Sequence, residues 1–210
     1  MERTLRDQLT DAYMASIPLI SLNVLWFFVS LLIVTLIPAT GALFYTMNLI
    51  AHGKSASFGD FFEGFRRYFW VSWRWGLLNV VIIAAGVASF TFYATSETSV
   101  LSLAAQMVVG GILALWLLLQ VYMFPLIFEQ EQPSLRTALR NSLVISAKFP
   151  LRSIGTLLLI ALVMLLTTLV IYPAWIFITA SLSAYLANRA TVYAVTQLKG
   201  ATAAEPLQGD

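Results

Sequence analysis

From Ala12 to Ala51 the chain runs for forty residues without one charged side chain. As a single helix that run would rise about 60 Å, roughly twice the hydrocarbon thickness of a bilayer, so one straight span is excluded and the run folds back on itself. The segment Thr35-Leu36-Ile37-Pro38-Ala39-Thr40-Gly41 marks the expected turn. Pro38 has no backbone N–H, suits only the first turn of a helix, and pushes Ile37 away from helical angles. Thr35 and Thr40 are placed to bond backbone groups freed at the break, and Gly41 lets the second helix approach the first closely. With no ionisable group nearby, the turn reads as structural rather than as a ligand site.

The solvent of the whole chain follows from composition. It is 60% hydrophobic and 10% charged, where soluble domains carry roughly a quarter of charged residues, so lipid takes the place of water around one membrane domain. There is no cysteine and one histidine, His52, which removes thiolate chemistry and leaves no cluster of residue types that commonly holds a metal. No cofactor is expected. A net charge of +2 with no basic tract gives no reason to expect nucleic acid as a partner.

Taken in order, the expected spans are 17–37, 38–52, 75–94, 100–128, 151–172 and 173–195. Their apolar length, and Arg3 and Arg6 ahead of an uninterrupted first run, favour an uncleaved first span over a signal peptide. Between spans lie two amphipathic segments. In 57–73, Phe58, Phe61, Phe62, Phe65 and Phe69 recur at helical spacing against Asp60, Glu63, Arg66 and Arg67, describing an elbow helix in the interface, with Ser57 and Asp60 as a capping box at its start. In 133–147, Leu135, Ala138, Leu139, Ser142 and Leu143 follow the same spacing among Glu129, Glu131, Arg136 and Arg140. The resemblance of the two elbows raises an internal duplication, but their residue identity is too low to establish one. Residues 200–210 read as a disordered tail, so the membrane domain is 1–199.

All twelve Lys and Arg residues fall on one side of a six-span arrangement, while the opposite turns near 38, 97 and 173 hold none. Both termini are therefore expected in the cytoplasm of a multi-pass plasma-membrane protein.

Asn23, Trp26, Thr35, Pro38, Ala39, Thr40, Gly41, Ala42 and Leu43, followed by the phenylalanine-rich segment 58–69, resemble the YesL-like family of bacterial integral membrane proteins. Where that pattern tends to place glycine before the proline, this chain has Ile37. The resemblance implies a bacterial inner-membrane protein associated with carbohydrate uptake, in a family whose molecular function is undefined. It brings no catalytic residues with it.

Three function classes are open to such a chain. The leading expectation is a non-enzymatic accessory or scaffolding protein that meets a membrane transporter subunit through Asp60, Glu63, Arg66, Arg67, Glu129, Glu131, Arg136 and Arg140. Acids serve little beside anionic lipid, so their presence on the elbows leans toward a protein partner. The alternative is a small passive transporter, also compatible with a homo-oligomer, in which Asn23, Asn48, Gln106 and Gln120 line a path for a neutral solute. No span carries an ionisable residue in its middle, the usual mark of a coupled transport path. Catalysis is the weakest expectation, since His52 has no acidic orienter close in sequence.

Overall fold

The computed structural model describes residues 5–95, 99–170 and 173–203, with side chains described for 17–95, 99–170 and 173–200. Among these residues every regular element is helical: α1 Leu5–Ser30, α2 Ile33–Ala51, α3 Phe58–Arg67, α4 Phe69–Thr95, α5 Val100–Met123, α6 Pro125–Phe128, α7 Leu135–Lys148, α8 Pro150–Leu169, a π-helical turn Trp175–Thr179, and α9 Ala180–Ala203. The residues flanking Glu97 and those at 171–172, where two of the outer turns were expected, lie outside the described residues, as do 204–210 of the expected tail. The beginning of that tail is instead the end of α9.

The hairpin exists, but its turn is not at Pro38. The chain reverses at Leu31-Leu32, and Pro38 lies inside α2. The reason is length. Helix α1 begins at Leu5, well before its apolar part, so its 26 residues already rise about 39 Å by Ser30 and reach the far side of a bilayer earlier than a span starting at Ile17 would. Thr35 then does at the true turn what was expected of it at the false one. Its hydroxyl donates to the carbonyl of Val29, at the end of α1, and lies 2.9 Å from that of Leu32. Pro38 removes one backbone bond of α2, a loss that membrane helices tolerate when packed against neighbours, and it is buried there.

Among the described residues, four helical stretches are long and apolar enough to cross a membrane: α2, α4, Val100–Phe128 and α8. Of the six expected spans, the first has a shorter apolar part, Ile17–Ser30, and the last, α9, is rich in small and polar residues that face its neighbours. Helix α2 is central, packed against α1, α4 and α9, with α3 lying across its C-terminal end. Helices α4 and α5 pair, and α8 packs on α9 and α5. Leu77, Val80, Val81, Leu158, Leu162 and Leu165 turn outward, as lipid-facing positions do. The protein is an all-helical polytopic membrane protein.

Close approach between α2 and α4 occurs at Gly41. A Cβ there would stand 2.1 Å from Ser72 Oγ and 3.1 Å from Ser72 Cβ, so only a missing side chain lets the two backbones come this near. The neighbour that Gly41 admits is therefore α4, not α1 as the hairpin reading expected.

Both elbows form, within a few residues of expectation at their starts. Helix α3 stops at Arg67, and Tyr68 separates it from α4, which absorbs the aromatic stretch from Phe69 onward. Its capping box is complete: Ser57 N donates to Asp60 Oδ2 at 2.7 Å and Asp60 N donates to Ser57 Oγ at 3.3 Å. The phenylalanines divide between two surroundings. Phe61 is fully buried against α2 and Phe65 half-buried, whereas Phe58 and Phe62 face out. In α7, Ala138, Ser142, Ile145 and Ser146 pack inward, leaving Leu143 and Val144 exposed.

Candidate functional site

The polar side chains within the spans make contacts at separate places, each tying helices together. Asn23 of α1 donates to the carbonyls of Trp175 and Ile176, both at 2.8 Å, and its Oδ1 accepts from Ser181 N at 2.7 Å. A π-helical turn displaces the backbone bonding pattern by one residue and leaves such groups in need of partners. Asn23 supplies them from 152 to 158 residues away in sequence. Trp26 Nε1 donates to Thr40 Oγ1 at 3.2 Å, joining α1 to α2 beside the same turn.

Gln120 on α5 accepts from Trp75 Nε1 on α4 at 2.9 Å, and Trp116 Nε1 donates to Asn79 Oδ1 at 3.1 Å across the same pair of helices. Gln106 lies near the other end of α5 and reaches the carbonyls of Tyr93 and Ser102. Asn48 belongs to a third place, described next. The four residues expected to line a solute path thus do not converge, and each has helix partners of its own.

The densest polar arrangement is at the end of the bundle that carries α3 and α7. Asn48 Nδ2, on the last turns of α2, donates to Glu129 Oε1 at 2.7 Å and to Asn188 Oδ1 at 3.2 Å. Asn188 is fully buried and donates to Ala184 O at 2.8 Å and to Phe44 O at 3.2 Å, so α9 lies close enough to α2 to touch its backbone. Arg189 reaches the carbonyl of Ala51 at 3.2 Å. His52 Nδ1 is 2.9 Å from Asn48 O. Its Nε2 faces Glu129 Oε1 at 3.4 Å. A carboxylate is thereby held at the end of α2, where the Asn48 amide N–H donates to it.

Glu129 therefore does not belong to an outward partner surface, contrary to the expectation from sequence; its side chain is only 14% exposed. It is placed by Pro125, which begins the short helix α6 and turns the chain at the end of α5. Asp60 is also accounted for within its own helix, where hydrogen bonds from Ser57 hold its carboxyl below the usual range. Beside the His52–Glu129 pair an open cavity of about 310 Å³ is lined by Lys54, Arg67, Tyr68 and Glu131. Burial pushes the Tyr68 phenol up, so it stays a neutral donor there.

Glu63, Arg66, Arg67, Glu131, Arg136 and Arg140 remain on the outside of this end. Glu63 and Arg67 stand 3.9 Å apart, a loose pair one helical turn along α3. Arg66, Arg136 and Arg140 have no carboxylate within ion-pair distance among the described residues. Nor does any group of three or more His, Asp or Glu converge among the described residues.

This fold and this distribution of charge define a helical membrane bundle whose interior polar groups join helices and whose free charges gather at one end. Residues 19–90, from the apolar part of α1 to most of α4, match the family described as "Protein of unknown function, DUF624". That stretch holds Asn23, the hairpin, Asn48 and the first elbow, so the match covers one partner each of the ties of Asn23 to Trp175, Trp75 to Gln120, Asn79 to Trp116 and Asn48 to Glu129. Neither a curated protein nor a solved structure matches the chain.

Proposed function

We propose that this chain is a non-catalytic accessory protein of the bacterial plasma membrane that holds a second membrane protein against its charged end, with that end and both termini in the cytoplasm. The observation that supports it is the contrast in how polar groups are used. Asn23, Asn48, Gln106 and Gln120 are occupied in helix contacts and scattered, which disfavours the passive-path reading. The charges on the outer faces of α3 and α7 have no such internal use.

Glu63 and Glu131 lie exposed among Arg66, Arg67, Arg136 and Arg140, a surface of mixed sign. Anionic lipid would select for the cations alone, about 1 kcal/mol each, whereas a protein with complementary charges selects for both signs. Phe58 and Phe62, exposed beside them on α3, add apolar area at the level of the membrane surface. The partner in this reading is a subunit of a carbohydrate-uptake system, an assignment supported by the family resemblance alone.

The test reverses charge at Glu63 and Glu131 together and follows membrane level and co-purifying proteins from native membranes. The expected result is an unchanged level with the co-purifying transporter subunit lost. Unchanged level with unchanged partners would return both elbows to the role of lipid-facing structure.

A further inference from the structure

A second cavity, of about 300 Å³, lies inside the bundle between α2, α5, α8 and α9, and nothing in the accessory reading uses it. Trp26, Trp75, Trp175, Phe44 and Phe124 form much of its wall. Its rim includes Leu117 and Met164, which are 49% and 40% exposed on the outer face of the bundle, so the cavity communicates with the lipid phase. Along the π-helical turn and α9 the lining extends from Trp175 to Ala187, about 18 Å at a helical rise of 1.5 Å per residue. About 300 Å³ drawn out along that length has the shape of a slot rather than a chamber.

The slot is apolar except at a few points, and those points are short of partners. Thr179 is 1% exposed and its hydroxyl has no hydrogen bond. A helical threonine ordinarily bonds the carbonyl three or four residues back. For Thr179 those carbonyls belong to Ile176 and Trp175, and both already accept from Asn23. With Asn23 donating to both, the Thr179 hydroxyl bonds neither. One turn further along, the buried hydroxyl of Ser183 is also unpartnered. On the opposite wall Gln120 gives its oxygen to Trp75, while its N–H₂ finds only the sulfur of Met123 at 3.7 Å. Buried polar groups without partners are costly and uncommon in native structures.

We propose that this slot binds a single-chain amphiphile drawn from the bilayer, an aliphatic chain carrying hydroxyl or ester oxygens that accept from Thr179, Ser183 and Gln120. A sugar does not suit it, because the walls offer too few partners for a ring of hydroxyls and each unmet one would cost free energy. A plain hydrocarbon does not suit it either, because it would leave the three donors unmet. The aromatic walls and the lipid-facing rim fit a chain; the unpartnered donors fit its oxygens.

The test uses the full chain in phosphatidylcholine nanodiscs with a monoacylglycerol that carries a diazirine on its acyl chain. Irradiation should attach it to peptides containing Leu117, Met164 or Trp175, and excess unlabelled monoacylglycerol should reduce that labelling about tenfold. Ser183→Leu, which fills the slot, should abolish it. Thr179→Val keeps the side-chain size and removes one hydrogen bond, so labelling should fall about fivefold, the equivalent of about 1 kcal/mol. Thr179→Val also serves as the measurement if the larger substitution prevents folding. Labelling spread evenly over Leu77, Val80 and Leu158 and indifferent to both substitutions would overturn the proposal. So would equal labelling of the slot by a diazirine-bearing phosphatidylcholine, which would make the occupant ordinary bilayer lipid.

Discussion

Helices α2 and α8 are both largely apolar and of nearly equal length, yet they occupy opposite situations. In α2, 44% of the membrane-length window is buried inside the protein; in α8 the figure is 6%. Apolarity does not separate them, because lipid and protein interior are about equally hospitable to leucine. What separates them is small and polar residues. Helix α2 brings Gly41, Thr46 and Asn48 to its neighbours, and α9 answers with Ala184, Ala187, Asn188 and Thr191. Helix α8 buries one residue of its own, Ser153, whose hydroxyl stands 3.0 Å from that of Tyr122. Helix association here rests on close backbone contact and a few hydrogen bonds, and the apolar outer surface serves only to dissolve the bundle in lipid.

Substitutions can break that contrast, and the largest effect is expected at Asn23. Asn23→Leu puts an apolar side chain of the same branching in its place and leaves two carbonyls and one N–H at the π-helical turn without their Asn23 partner. At roughly 0.6 to 2 kcal/mol for each membrane hydrogen bond, the expected loss is roughly 2 to 6 kcal/mol. It should appear as a large fall in folded protein and in thermal midpoint, whereas Leu158→Ile on the lipid face of α8 should change neither. Equal tolerance of both changes would erase the distinction between sewn and lipid-facing helices.

Gly41→Ala is next, because its Cβ must displace Ser72. The expected cost is about 1 to 3 kcal/mol. Adding Ser72→Gly removes both clashing atoms and should restore most of the loss; a double variant no better than the single one would show that α2 and α4 do not meet there.

Pro38→Ala is expected to be mild, within about 1 kcal/mol, since α2 is already helical on both sides of the position and alanine returns the missing backbone donor. A turn centred on Pro38 would instead make the same change severe. Quantifying folded protein against the Gly41→Ala variant decides which ordering holds.

The smallest effect concerns the first elbow. Hydrogen bonds from Ser57 lower the folded-state pKa of Asp60, so the stabilisation is fully present above the ordinary carboxylate value and is lost as pH falls through the lowered one. The protection factors of the first-turn amides of α3, taken relative to intrinsic exchange at each pH, should fall on acidification in that range and become insensitive to it in Asp60→Asn. An unchanged pH response in that variant would assign the protection to something other than the capping box.

Much of the local structure was legible along the chain. The Ser57/Asp60 spacing announced a helix start that the backbone confirms, because both partners of a capping box lie within one turn. The phenylalanine period announced an elbow, though not that Phe61 goes inside while Phe58 and Phe62 stay out, since that division depends on where α2 passes beneath. Pro38 misled for a related reason. It is the strongest local breaker in the run, but the distance already covered by α1 placed the reversal at Leu31-Leu32.

The solvent, the hairpin, the two elbows and the concentration of charge between spans all follow from hydropathy and local hydrogen bonding over a few turns of helix, and so can be read along the chain. It took the assembled bundle to bring Asn23 to the π-helical turn at Trp175, to set Glu129 against Asn48, and to leave Thr179 without a partner in an apolar slot. Those groups are brought together by helix packing, and in lipid, where apolar surface gives little preference for one neighbour over another, the pairing of distant polar groups cannot be read from either partner alone.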